Sequence, residues 1–523
     1  MGFDFLDLGF PKSGTDWKSI NGKPFITVSS KGRRNGLSTK INDGADFGPD
    51  TMQGATSPSQ TGPPYSPTLG ILEAINYALS NNIGKVHLNA GIYSLPPALK
   101  PILTGSINFP VGATNYYTPV YSLIPISPLY MGQSIEIEGE GGSWLGGQAT
   151  SSEITDDMLD GLTVIDTSQV IPNAITGNNV NMVFGWQKNP NENTQSGTPP
   201  TFNWVNGASI KIKGIMVLGS PKNSTQPIYG VGDLTISWTS GIDDVSAGPW
   251  TPTYSFPGLP TNFNYVVGLA IDGYYQGVCK IGKIATNAYW MGLYSGPWVS
   301  ADSYKTTACN YGLVVSGDHA GVFRSYGPEQ CIYNIYVLEG FSTTIFDHID
   351  GEDLNGTTTT YDVTWNINAA GSSTIIVKSF HMEAAGATVN PRAPKIDWTN
   401  YNNSGGPNNI TLKFMHPEWT FINLLTIPTN PPVSGTVYQN QNPYDVRLKI
   451  PVTYNPTASA AATLATGISQ TSTVTTSTKV SIPAGLTSAD GQILTYEMVV
   501  PVGWYFELVA TNATIGTAEV QAA

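Results

Sequence analysis

The chain has 523 residues, 12% of them charged, and a formal net charge of −13. The acidic balance argues against a nucleic-acid surface, and no run approaches the ~18 apolar residues of a membrane-spanning helix. No His/Cys spacing suits zinc, so neither a metal nor another cofactor is expected. Gly, Pro, Asn, Ser, Thr and Tyr dominate, a hydrogen-bonding composition that suits an exposed protein in contact with sugars.

Residues 1–40 carry seven basic residues, Lys12, Lys18, Lys23, Lys31, Arg33, Arg34 and Lys40, against three acids, Asp4, Asp7 and Asp16. With Phe3, Phe5, Leu6, Leu8 and Phe10 ahead of them, they are read as an arm that docks into another protein. A Gly/Pro-rich loop follows. It leads to a helix with Ser66 as cap, Pro67 at the first position and Leu69, Leu72, Ile75, Ala78 and Leu79 on one face. After Asn81–Gly84 the segment Lys85–Tyr93 alternates as a strand. Long polar inserts at Leu99–Met131, Gln187–Asn206 and Thr239–Thr261 are expected as loops projecting from the fold.

A short phrase then returns three times: Gly268–Gly273, Gly292–Gly296 and Gly312–Gly317, each a brief apolar or aromatic run closed by Gly. The copies start at positions 268, 292 and 312. At a period of roughly 20–25 residues no unit can bury its own apolar face, so each turn must stack on its neighbours, and a parallel β-helix is expected. Cys279, Cys309 and Cys331 all fall in this zone. Cys309 and Cys331 are about one turn apart and suit either a disulfide or a buried sulfur pair. Beyond Asn430-Pro431-Pro432 the strands lengthen, over Val446–Val452, Leu494–Val500 and Trp504–Ala510, which predicts an antiparallel sandwich.

Asn42-Asp43-Gly44-Ala45-Asp46, the helix around Leu72-Glu73-Ala74-Ile75-Asn76, and Val86-His87-Leu88-Asn89-Ala90-Gly91-Ile92-Tyr93 together resemble the opening of pectin-lyase-like β-helix proteins. Asn89 stands where that family usually has Pro. The resemblance implies a right-handed parallel β-helix whose open amino-terminal end is plugged by the helix. The order of arm, coil and sandwich resembles viral tailspikes over most of the chain, and the low-charge style is like virion proteins of thermoacidophilic archaea, spindle-shaped viruses among them. The organisation expected is an attachment arm over 1–40, the coil over 41–425 and the sandwich over 435–523.

Carboxylates projecting from stacked rungs are what a polysaccharide-cutting coil would use. Asp318, Glu329, Glu339, Asp347, Asp350 and Glu352 are the catalytic candidates, because the spacings from Asp318 to Glu339 and from Glu329 to Asp350 are equal and close to one rung. Solvated turn acids are the bland alternative. Tyr274, Tyr294, Trp298 and Tyr326, with Arg324, are the candidate substrate contacts, since a flat aromatic face packs against a sugar ring. Three readings stay open: a homotrimeric virion tailspike on the particle surface that binds host glycan and cuts it as an endo-acting glycoside hydrolase, a purely adhesive fibre, and a free extracellular polysaccharide lyase or hydrolase. The first two imply a host-surface glycan and other tail proteins as partners.

Overall fold

The computed structural model describes residues 18–20, 23–31, 45–111, 114–127, 133–142, 154–171, 180–186, 209–235, 240–258, 266–272, 279–296, 298–316, 321–338, 343–353, 359–365, 373–384, 395–397, 410–414, 431–440, 445–486, 491–501 and 503–522. The chain forms two compact units, residues 1–109 with 116–304, and residues 110–115 with 305–523. No described helix is long and apolar enough to cross a membrane.

In the first unit three ladders of parallel strands wind around a shared interior. The first ladder runs through Lys23–Val28, Lys85–Leu88, Ser134–Glu138 and the leading halves of Ser209–Leu218, Gly241–Gly248 and Cys279–Asn287. The second runs through Gly91–Ser94, Thr163–Asp166 and the trailing halves of the same long strands. The third joins Thr114–Ile126, Val180–Trp186, Tyr229–Thr235, Val267–Asp272 and Met291–Ser295. This is a parallel β-helix. Where a long strand bends from first ladder to second, the backbone enters the left-handed region, at Gly214 (φ 63°) and at Asp244 (φ 51°). The bend is what divides one extended segment between two faces.

The alternation legible in the sequence has a direct physical outcome. Val86 and Leu88, Ile135 and Ile137, Ile210 and Ile212, Ile242, and Ile281 point inward and are buried, and the residues between them point outward. Each fully buried Ile or Leu contributes roughly 1.5–3 kcal/mol, which it gains only when the rungs above and below cover it. Tyr93, the last residue of the opening phrase, is fully buried and its hydroxyl donates to the carbonyls of Val28 (2.7 Å) and Asn89 (3.0 Å). Gly91 (φ 143°) lets this turn close, since a Cβ there would stand 2.2 Å from Ser30 Oγ.

The helix is Ile71–Ser80, and it packs on Lys23–Val28, Lys85–Leu88 and Ser134–Glu138 through Ile71, Ala74, Ile75, Ala78 and Leu79. It begins later than the Ser-Pro signal implies. Leu69 (φ 56°) and Gly70 (φ 83°) both lie in the left-handed region, which breaks a helix running from Pro67. Ser66 instead donates to the buried Glu73 carboxylate at 2.6 Å, and the Thr68 hydroxyl (3.3 Å) and the Gly54 amide (3.1 Å) complete its shell. The segment expected as a loop at Leu99–Met131 holds two strands, Ile102–Val111 and Thr114–Ile126. Its period of two is disguised because the inward positions include Thr118 and Ser122 alongside Val120, Ile124 and Ile126. A ladder strand, Gly241–Gly248, likewise occupies the front of the expected loop Thr239–Thr261. Gln187–Asn206 lies outside the described residues. Lys23–Val28, within the stretch read as an attachment arm, is a strand of the first ladder and pairs antiparallel with Lys18–Ile20.

The second unit contains further rungs of the same three-ladder kind. Gly321–Phe323, Thr343–Phe346, Ser373–Val377 and Ile410–Phe414 pair in parallel, as do Tyr326–Glu329, Ile349–Asp353 and Phe380–Ala384, and Tyr311–Val315, Tyr333–Val337 and Tyr361–Trp365. From Val437 onward the pairing turns antiparallel. Two four-stranded sheets enclose a core that includes Leu448, Ile450, Val452, Leu464, Phe506 and Leu508.

Candidate functional site

The outward face of the first ladder in the first unit carries two rows of side chains in cross-strand register. One row is Lys85, Glu136, Lys211, Gly241 and Lys280, and the other is His87, Glu138, Lys213 and Asp243. Opposite charges directly across a strand pair attract, so both rows begin as a structural checkerboard. Lys85 reaches Glu136 at 3.3 Å and makes a shorter contact with Glu138, while Lys213 reaches Glu138 at 3.6 Å. His87 is held between Glu138 (Nδ1, 3.4 Å) and Glu140 (Nε2, 2.7 Å). Burial would raise the Glu138 pKa, but its hydrogen bond from Lys85 and the surrounding cations outweigh this and hold it below the usual carboxylate value. Burial would likewise lower that of Lys85, and its carboxylate partners raise it instead.

Further along, the rows lose a side chain each, at Gly241 and at Gly282. A hollow of about 490 Å³ opens there. Lys211, Lys213, Lys280, Asp243 and Asp302 stand around it. The Asp243 carboxylate accepts a hydrogen bond from the Lys283 amide at 3.1 Å and lies across Gly282, where a Cβ would stand 2.0 Å from Oδ1. Lys280 approaches Asp302 only at 4.0 Å, and the Lys211 ammonium has no ion pair among the described residues. Chemically, the hollow offers ammonium donors and carboxylate acceptors on a rigid sheet.

The sequence candidates lie elsewhere. Asp318, Glu339 and Tyr274 are outside the described residues. Glu329 does not stand opposite Asp350. The register sets it against Glu352, and Asp350 against His381, because the rung that starts at Glu329 takes up more chain than the spacing from Glu329 to Asp350 allows. Glu352 in turn faces Glu383. Glu329 accepts from Thr307 Oγ1 at 3.0 Å and pairs with Lys305 Nζ at 2.6 Å. Asp347 is paired with Lys378 at 2.7 Å, and Asp350 and Arg324 are exposed. The second unit thus brings Glu329 and Glu352 together.

Tyr294 and Tyr326 are corrected from surface contacts to core. They are 3% and 0% exposed, and the Tyr326 hydroxyl donates to the Asn334 carbonyl at 2.5 Å. Tyr289 and Tyr304 are buried in the same way, with Tyr289 donating to the Tyr229 carbonyl at 2.9 Å. A narrow coil interior takes a large ring readily when a backbone carbonyl is within reach of its hydroxyl. Trp298 remains partly exposed. Among the described residues, Tyr311, Tyr333 and Tyr361 form a half-buried aromatic row, in register on the third ladder of the second unit and stacked at 5.0 and 6.4 Å between centroids. These rings cover one another's faces, which leaves mainly edges to a ligand.

Cys279, Cys309 and Cys331 are buried free thiols, so the disulfide alternative for Cys309 and Cys331 gives way to the sulfur pair. Among the described residues no group of three or more His, Cys, Asp or Glu side chains could hold a metal ion.

The lining of the hollow went unseen in sequence because irregular inserts separate its members: the steps from Glu136 to Lys211, from Lys211 to Gly241 and from Gly241 to Lys280 share no common period. The one available signal was charge at the outward positions of Ser134–Glu138 and Ser209–Lys213.

No family profile and no curated protein matches this chain. Among solved structures, the Acinetobacter phage vB_ApiP_P1 tailspike protein is similar at 10% identity and a TM-score of 0.25, over 86% of this chain and 84% of that one.

Proposed function

We propose that the protein is a virion attachment spike that binds a glycan of the host cell surface along the outward face of its coil. The observation that carries this reading is the hollow at Gly241 and Gly282, a depression in a rigid parallel sheet ringed by side chains able to bond sugar hydroxyls from both sides. The low-charge, Asn/Thr/Tyr-rich composition and the resemblance of the opening phrase support it. In this reading the spike is a homotrimer, whose closed symmetry multiplies weak contacts with a repeating polymer, and the amino-terminal residues join other tail proteins. The test is binding of purified host-surface polysaccharides to the immobilised full chain and to Asp302→Trp, which fills the hollow from its rim. At least tenfold weaker binding by the variant is expected, and equal binding would remove the hollow from the function. A monomer mass by light scattering would remove the trimer.

A second reading, hydrolysis, rests on the register of Glu329 and Glu352. Neighbouring strands are ~4.8 Å apart, close to the roughly 5–5.5 Å between the carboxyls of a retaining glycosidase. Glu329, already paired with Lys305, would be the ionised nucleophile, and Glu352 the acid. Release of reducing ends from the same polysaccharides, lost on Glu352→Gln, is the expected result. Binding without release by the wild-type protein would leave an adhesive fibre.

A further inference from the structure

We infer that the gap at Gly241 is an anion seat and that the glycan bound there is acidic. The inference rests on the reading of this hollow as a glycan site and specifies its ligand. Along the row the charges alternate by register: Lys85, then Glu136, then Lys211. The next position, which would continue the pattern with an acid, is Gly241, and the one after it is Lys280. Two lysines therefore flank a missing carboxylate across two strand spacings, about 10 Å.

The bound state of the neighbours singles out these two lysines. Glu136, which lies against Lys211 in register, is engaged by Lys85 at 3.3 Å, and Lys213 is engaged by Glu138 at 3.6 Å. The Lys211 ammonium has no ion pair among the described residues, and that of Lys280 has Asp302 at the 4.0 Å limit of one. Both arms are long enough to lean over Gly241 from opposite sides. Gly241 itself sends no side chain into the space between them, and a Cβ there would stand 2.9 Å from the Lys280 carbonyl oxygen. A carboxylate or sulfate on a sugar ring supplies the missing negative charge there, while Asp243 and Asp302 accept hydrogen bonds from ring hydroxyls alongside.

The charge of the whole chain sharpens the argument. At a net charge of −13 the protein repels a polyanion, so attachment to an acidic polymer requires a local seat of this kind rather than a general basic surface. The rim acids keep the seat selective, because a free inorganic anion gains the two ammonium contacts but not the hydroxyl bonds.

The experiment uses the full chain and three probes: alginate, a polyuronate; dextran sulfate; and neutral dextran. Lys211→Gln with Lys280→Gln removes both ammoniums while keeping most of the length of the side chains. Arg447→Gln with Lys479→Gln, on the sandwich, makes the same change in net charge far from the hollow in sequence. Expected is retention of alginate, dextran sulfate or both by the wild-type protein and by the sandwich variant, with at least tenfold weaker binding by the Lys211/Lys280 variant and little retention of dextran. Alginate alone identifies a carboxylate seat, and dextran sulfate alone a sulfate seat. Undiminished binding by the Lys211/Lys280 variant, equal retention of dextran, or retention of none of the probes overturns the inference. The Asp302→Trp comparison on host polysaccharides decides the glycan reading separately.

Discussion

Glu329 stands directly opposite Glu352 on the next rung, and Lys305, 2.6 Å from the Glu329 carboxylate, offsets the repulsion between them. Replacing Lys305 by Met removes that offset while keeping most of the aliphatic arm. Because Lys305 is 41% exposed, solvent screens the pair, and the expected loss is only about 1 kcal/mol. Adding Glu352→Gln should restore part of it, since the like charge across the rung is gone. Denaturation of the wild type, both single variants and the double variant measures the coupling, and additive losses would show that the two carboxylates do not sense each other.

Glu138 should set an acid limit on the first unit. Its pKa in the folded chain lies below the ordinary 4.5, so its contribution is present above that value and disappears as the pH falls through the folded pKa. Lys85, raised above 10.5, has the opposite sign: its contribution is present below 10.5 and is lost as the pH rises through its folded pKa. Melting temperature measured against pH should therefore fall less steeply below pH 4.5 for Glu138→Gln than for the wild type. Parallel acid limbs would show that Glu138 is not the linked group.

The thiols should be inert until the chain unfolds. Burial pushes the Cys279 thiol up to about 12, and burial together with the neighbouring Cys309 raises Cys331 as well. Titration with a chromogenic disulfide under mildly alkaline conditions is expected to give almost no reaction in the native protein and three thiols in denaturant without reductant. Recovery of one thiol in denaturant would mean that Cys309 and Cys331 had been joined after all.

Tyr326→Phe should cost stability and nothing else. The change leaves the Asn334 carbonyl without its 2.5 Å donor in a buried site, for a loss of about 1–3 kcal/mol. Glycan binding by the folded variant should equal that of the wild type. Weaker binding at unchanged stability would return this ring to the ligand contacts.

The coil was legible because local chemistry determines it. Apolar residues alternating with polar ones, as over Lys85–Tyr93, assign an inward and an outward face to a strand whatever its partner, and short Gly-closed runs that return every ~20–25 residues have no means of burial other than stacking. The helix was legible from its apolar face, but its start was not. The left-handed backbone at Leu69 and Gly70, and the burial of Glu73 under Ser66 and Thr68, arise only when the chain closes on Gly54.

The site followed a different rule. Which residues share a row depends on register, and register depends on how much chain each turn consumes. The step from Tyr311 to Tyr333 is shorter than that from Glu329 to Glu352, and the step from Glu352 to Glu383 is longer than either. A constant period therefore placed Glu329 beside the wrong acid. Whether a tyrosine faces sugar or core turns on one step of alternation and on a carbonyl within reach of its hydroxyl, as at Tyr326. The order of amino acids was enough to specify that a coil forms and which strand faces are apolar. Folding alone set Lys211 and Lys280, remote from each other along the chain, on either side of a glycine, because the inserts between them are free to vary in length while hydrogen bonding across the strands holds the rungs in register.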